Sequence, residues 1–396
     1  MLMTSAKVFE PNLENLTKNQ YGNNHLTKFI HASDIHLGSH QYRNDYRAND
    51  FIFAFEEILS IAVIHRVDFL LLGGDVFTSL EMLPGKLTKI VNLLTNFKKV
   101  TKNQILIIAI EGNHDIRKFS RGQKFKQRGQ SWLKLLASLG LIILLDADVD
   151  LPSDEIFKEY DFKTRKGGKI RIKDVIIYGT RYLGQNPVEY LLKLKDGIEK
   201  DDDLFHILLQ HFGIKGQMEQ VPGVDYRRIQ ILKNRVNYLA LGHFHLQFIL
   251  DDWIFNPGSS EASCSSDFSF KRGVFLVTIT KNDSYTKCVN KIRLTNRTSR
   301  WEHIYFKTEF SKKEKMYEYI IQKLKKSFDL DKNLNKKSFN IQTPVLFLVL
   351  KGKKPFYRCK IDKKELTQII CENLPVVDVR IYQKFSDFLK TLDTFF

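Results

Sequence analysis

Short apolar runs alternate along this chain with longer stretches whose apolar residues recur at three- and four-residue steps. Residues 28–32, 69–72, 104–111, 141–145, 175–179, 204–210, 238–242, 254–259 and 274–280 read as strands, each halting at polar or glycine positions. Between them, residues 47–65 read as a helix. Its apolar positions, Phe51, Ile52, Phe53, Phe55, Ile58, Leu59, Ile61, Ala62, Val63 and Ile64, nearly surround it. Such a helix is buried on more than one side, so one side covers a sheet and the other is open to a second subunit. Pro84 is placed to start the next helix, striped by Leu83, Leu87, Ile90, Val91, Leu94 and Phe97, and core packing is the expected use of that stripe. Residues 131–139 give a third helix. Residues 147–173 are polar, contain Gly167-Gly168, and read as an insertion or hairpin. The alternation of strand and helix is that of an α/β sheet with crossover helices.

Composition shifts near Val289. Beyond it come a β-like piece (301–306), a helix (312–328), a Lys/Asn-rich loop (331–337), a strand (345–350), a helix (363–373) and a strand (376–382), the order of a small α+β domain. Three segments follow: a solvated, flexible tail over 1–25, a main domain over 26–288 and a basic domain over 289–396. The tail is asparagine-rich and lacks the apolar stretch of a signal peptide, and no apolar run approaches a membrane span, so a cytoplasmic protein without membrane contact is expected.

Charge adds direction. The net charge is +17, with 20 Lys+Arg against 12 Asp+Glu in residues 301–396, which favours a polyanionic partner. Residues 117–128 hold Arg117, Lys118, Arg121, Lys124, Lys126 and Arg128 without an acid, a run equally suited to a solvated loop or to phosphate contact. Cys264, Cys288, Cys359 and Cys371 lie far apart with no C-x-x-C pair, which fits reduced thiols.

The candidate chemistry lies where apolar runs stop. Asp34 and His36, Asp75, Asn113 and His114, His211, and His243 and His245 each sit at or just past the end of a predicted strand. Asp34 and His36 are two apart, so on an extended segment they share a face. Two ions need a bridging carboxylate and about three further ligands each, a requirement that Asp34, His36, Asp75, Asn113, His211, His243 and His245 meet with Asp75 as the bridge. Imidazoles suit zinc, iron, nickel or manganese, and the amide oxygen without thiolate argues against a structural zinc site and is compatible with manganese or iron, the donor set alone not choosing the metal. His114 is left over, free to serve as catalytic acid, and Asp115 is either a supporting group or a turn cap. His31, His40, His65, His206 and His303 lack such partners and read as structural.

In series, D-x-H, G-G-D, G-N-H-D, an isolated H and G-H-x-H resemble the calcineurin-like metallophosphoesterase superfamily. The stretches Ser33-Asp34-Ile35-His36-Leu37-Gly38, Gly74-Asp75-Val76-Phe77, Ile110-Glu111-Gly112-Asn113-His114-Asp115, Leu241-Gly242-His243-Phe244-His245 and Asn256-Pro257-Gly258-Ser259 are similar to the DNA double-strand-break repair nucleases. Those comprise bacterial SbcD and the archaeal and eukaryotic meiotic-recombination-eleven proteins. The resemblance covers residues 27–280 well, and 290–396 fits that family's capping domain in order. It implies an α/β sandwich of two central sheets flanked by helices, with a small α+β capping domain. One metal would take Asp34, His36, Asp75 and His245, the other Asp75, Asn113, His211 and His243, with His114 catalytic. Also implied are two manganese ions, 3′-to-5′ exonuclease activity on duplex ends, endonuclease activity on single strands, a homodimer, and an SbcC-like coiled-coil ABC ATPase partner. Such a protein works at the nucleoid, or in the nucleus if eukaryotic. Where some relatives carry a second histidine after the G-D-x-F turn, this chain has Thr78. The helices that grip the ATPase are expected to lie outside the chain, which ends at Phe396. The alternatives are another phosphoesterase of the superfamily, acting on nucleotides, phosphoproteins or lipids, and a DNA-end-binding scaffold.

Overall fold

The computed structural model describes residues 25–116, 130–219, 221–307, 309–330, 342–353 and 361–386. Of the tail expected over 1–25, His25 instead opens the first strand and residues 1–24 lie outside the described residues, as do the candidate substrate contacts Arg117, Lys118, Arg121 and Lys124 and the loop 331–337.

In chain order the elements are β1 (His25–Ala32), α1 (Asp45–Ile64), β2 (Phe69–Leu72), α2 (Pro84–Val100), β3 (Leu106–Ala109), α3 (Trp132–Ser138), β4 (Ile143–Leu144), β5 (Lys169–Ile172), β6 (Val175–Gly179), α4 (Val188–Gly197), β7 (Phe205–His211), α5 (Tyr226–Ile229), β8 (Tyr238–Gly242), β9 (Phe248–Leu250), β10 (Ile254–Asn256), β11 (Gly273–Lys281), β12 (Tyr285–Arg293), β13 (Ser299–Phe306), α6 (Lys313–Leu330), β14 (Val345–Lys353), α7 (Lys363–Asn373) and β15 (Asp378–Ser386). Two six-stranded sheets run β12-β11-β1-β2-β3-β4 and β5-β6-β7-β8-β10-β9. Parallel pairing joins β1 through β4 in the first sheet and β6-β7-β8-β10 in the second, so their carboxyl ends share one direction within each sheet.

The continuous apolar runs are explained by burial on both faces. In β2, Phe69 and Leu71 join Phe29, Ile108, Ile207, Leu209 and Tyr238 in a layer between the sheets. Leu70 and Leu72 face the other way, against Phe55 and Ile58 of α1, Leu94 of α2 and Leu133 of α3. The second sheet's outer face, with Leu208, Leu239 and Leu241, packs on Leu191 and Leu194 of α4 and Ile229 of α5. The result is the expected sandwich of two sheets between helices. Ile90, Leu94 and Phe97 of α2 are buried in this core, while Phe53 and Ile64 of α1 remain exposed. Residues 147–173 include the strand that pairs with β6 as a hairpin.

By internal contacts the chain divides into two compact units, one ending at Ser39 and resuming at Phe51–Leu294, the other comprising His40–Asp50 and the residues from Thr295 onward. Strand β12 runs through the compositional shift at Val289. The smaller unit has a parallel three-stranded sheet, β13-β14-β15, with α6 and α7 packed through Met316, Ile320, Leu324, Leu366 and Ile370 on Leu346, Leu348 and Leu350. It also buries a charged triad. Asp50 accepts from Arg47 Nη1 at 2.6 Å and, through both oxygens, from Arg297 at 2.6 and 2.7 Å. No helix among the described residues is long and apolar enough to cross a membrane.

Candidate metal centre

Five connections at strand carboxyl ends of the larger unit meet at one place. Past β1, Asp34 N–H donates to the Gly74 carbonyl and His36 N–H to that of Asp75, both at 3.0 Å, so the two loops run side by side. Asp34 and His36 have φ of 50° and 52°, Asp75 49° and His243 91°. These are left-handed conformations, costly for a side chain other than glycine and concentrated where function holds them. The extended D-x-H segment expected from the sequence is therefore absent: β1 ends at Ala32, and it is the left-handed turn that brings both side chains inward.

Two triads of donor atoms result. Asp34, His36 and His245 form one, and Asp75, His211 and His243 the other, with the ligand-type atoms of each within 4.8 Å of one another. Asp34, His36, Asp75 and His211 are buried. In the first triad, His36 Nε2 lies 3.1 Å from His245 Nε2, which is 3.9 Å from Asp34 Oδ1. In the second, His211 Nε2 is 3.3 Å from Asp75 Oδ2. Asn113 Oδ1 joins it, 3.2 Å from His211 Nε2 and 3.0 Å from His243 Nδ1. All seven residues proposed from the sequence thus converge.

Glycines permit the crowding. A Cβ on Gly112 would lie 2.2 Å from Asp75 Oδ1, and one on Gly74, whose φ is +90°, 2.5 Å from His211 Nδ1. Asp115 accepts backbone N–H groups of Val76, Phe77 and Gly112, tying the two ligand loops together.

The electrostatics suit a cation. Burial drives the imidazoles of His36 to about 3 and His243 to about 4, leaving neutral nitrogens with lone pairs. Burial alone would raise the Asp75 carboxyl, but His211 holds it below the usual carboxylate range. Burial correspondingly would lower His211, yet the Asp75 charge and hydrogen bond lift it to about 9. A divalent ion competes for the same site as that imidazolium proton. Converging nitrogen and oxygen donors, four of the seven residues buried and three partly so, without thiolate, fit a pair of hard or borderline divalent ions.

His114 stands beside the triads. Its Nδ1 must carry the proton, because its partner at 2.9 Å is the Thr78 carbonyl, and Nε2 then lies on the Asp75 side at 4.0 Å. Its backbone N–H donates to Asp75 Oδ1 at 2.7 Å. Thr78 also donates to the His36 carbonyl.

Two neighbours escaped the sequence reading. The Tyr182 ring lies 6.1 Å from those of both His211 and His243. It sits three residues past the end of β6, where the strand-end rule could have found it. Asp267, buried, accepts from His245 Nδ1 at 2.8 Å, and nothing in its serine-rich surroundings marks it.

Known proteins give the same direction. The calcineurin-like phosphoesterase family profile matches residues 27–247. The DNA double-strand break repair protein Mre11 of Archaeoglobus fulgidus is 31% identical over 238 residues, covering 59% of this chain and 50% of that protein. Its namesake from Sulfurisphaera tokodaii is 28% identical over 55% of the chain and 49% of its own length. That from Methanocaldococcus jannaschii is 26% identical over 68% and 67%. The chain thus spans about half the length of the first two.

Proposed function

The chain belongs to the calcineurin-like phosphoesterase family, and from that premise we propose that it is a two-metal DNA double-strand-break repair nuclease. The observation that carries the reading is the meeting of Asp34, His36 and His245 with Asp75, Asn113, His211 and His243 at adjoining strand ends. Asp75 would be the ligand shared between the two ions. Bound there, two divalent ions, manganese in this reading, supply Lewis acidity that lowers the pKa of water and neutralises charge on a phosphodiester.

The chain's own groups do the rest. His36 and His243 are kept neutral by burial and present lone pairs. Thr78 fixes the His114 tautomer, so that Nε2 is the atom that takes up a proton and hands it to the leaving oxygen. Asp115 holds the Asp75 and Asn113 loops in register. The net charge of +17 supports a polyanionic substrate. In full, the reading comprises 3′-to-5′ exonuclease activity on duplex ends, endonuclease activity on single strands, a homodimer, a capping role for the basic domain over 289–396, and a coiled-coil ABC ATPase partner. Its place is the compartment that holds the chromosome.

Manganese-dependent digestion of end-labelled duplex DNA, run beside hydrolysis of bis-p-nitrophenyl phosphate, tests it. Both activities are expected, and both are lost in Asp75→Asn. Hydrolysis of the small ester alone would refute the DNA assignment and leave another phosphoesterase of the family.

A further inference from the structure

Each triad contains one carboxylate, Asp34 or Asp75, but only the first has another behind it. Asp267 Oδ2 accepts a hydrogen bond from His245 Nδ1–H at 2.8 Å. Among the described residues it is the one carboxylate outside the triads that hydrogen-bonds a triad imidazole. His211 meets a neutral acceptor instead, its Nδ1 donating to the Gly73 carbonyl at 2.7 Å.

Asp267 is itself held. It is fully buried, and Oδ2 accepts from Ser263 N and Oγ, both at 2.9 Å, and from Cys264 N at 3.2 Å, while Oδ1 accepts from Cys264 Sγ at 3.0 Å. Ser263 Oγ lies 3.1 Å from His245 Nδ1 and donates to the same carboxylate. Arg272 donates to the Asp267 carbonyl. A carboxylate this constrained fixes the ring orientation of His245 and puts the lone pair on Nε2, 3.1 Å from His36 Nε2. Its negative charge also makes the imidazole a stronger donor to a cation.

We propose that Asp267 is a positioning residue which, acting through His245, makes the Asp34–His36–His245 triad the tighter of the two metal sites. The inference rests on the two-metal reading above.

Calorimetric titration of the full chain with manganese tests it, using wild type, Asp267→Ala, Asp267→Asn, His245→Ala, the Asp267→Ala/His245→Ala double variant and Asp75→Asn. Wild type is expected to bind two ions. Asp267→Ala should weaken the tighter event by roughly 10–100-fold, the usual cost of losing such a partner, and leave the other unchanged. Asp267→Asn, isosteric and able to keep a hydrogen bond, should fold as wild type and fall between. The double variant should bind no more weakly than His245→Ala alone. A merely structural role would lower the melting temperature and spare both affinities, affect both events equally, or add to the loss in His245→Ala. Any of those results overturns the inference while two-ion binding by wild type leaves the functional reading standing. Wild type that binds no manganese, or Asp75→Asn that binds as wild type, instead overturns the two-metal reading and this inference with it.

Discussion

Gly112→Ala is the smallest change that should disable the centre. The added methyl would lie 2.2 Å from Asp75 Oδ1, 2.3 Å from Asp75 N and 2.8 Å from Asp75 Cγ. Ordinary contact begins at 3.4 Å, so the carboxylate oxygen must retreat by about 1.2 Å. Rotating the side chain does not relieve the clash, because the Asp75 backbone nitrogen is as close. Metal coordination tolerates about 0.2 Å, and a displacement near 1 Å in a catalytic group costs on the order of 10²-fold in rate. Overpacking costs stability about 1–3 kcal/mol and more against backbone, so each assay is read on protein that a thermal melt shows to be folded. Hydrolysis of bis-p-nitrophenyl phosphate with manganese should therefore fall about 10²-fold or more, with manganese affinity falling beside it. Gly85→Ala is the control, since nothing lies within 4 Å of a Cβ there and the residue is inside α2. It should be neutral or stabilising by up to about 1 kcal/mol. Wild-type turnover and metal affinity in folded Gly112→Ala would refute the claim that crowding of these loops positions Asp75.

Three further outcomes are expected. His114→Ala, in stopped assays with manganese, should keep metal and DNA binding and lose about 10²–10⁴-fold in turnover; loss of metal would place His114 among the ligands. Asp50→Ala leaves Arg47 and Arg297 buried with neutral acceptors, Gln41 Oε1 and the Thr343 carbonyl, but no counter-charge, and should destabilise the protein by about 3–5 kcal/mol in urea melts, a change under 1 kcal/mol arguing against the triad. His31 is buried between the Tyr238 hydroxyl and the Leu241 carbonyl, both at 3.0 Å, and burial lowers its pKa from 6.5 to about 3. The unfolded chain binds that proton more readily, so the stability it contributes is present above pH 6.5 and lost as pH falls toward 3, by at most about 5 kcal/mol. Denaturant melts across that range should show a shallower acid loss in His31→Gln, and an unchanged slope would contradict this.

Much of the larger unit was legible because buried parallel strands leave unbroken apolar runs, and the ligands stand where those runs end. Asp75, Asn113 and His211 needed little more than that rule. The left-handed turns at Asp34, His36 and His243 were not legible, since tertiary contacts impose them on residues that local preference would place elsewhere. Asp267 was invisible for a related reason: it lies 22 residues beyond His245 in a polar stretch without period, and only the folding of that loop brings its carboxylate to the imidazole. Helix α4 was overlooked because it is only ten residues long and fully buries only Leu191 and Leu194, with Val188 and Tyr190 partly covered. The antiparallel addition of β11 to β1 joins segments some 250 residues apart, which no local pattern reports.

These distant residues are expected to form a binuclear centre with Asp75 between its halves, and anomalous scattering from manganese-soaked crystals would count the ions and locate them. Two peaks are expected, one against Asp34, His36 and His245, the other against Asn113, His211 and His243, with the Asp75 carboxylate touching both. A single peak, or manganese bound away from Asp75, would contradict the account.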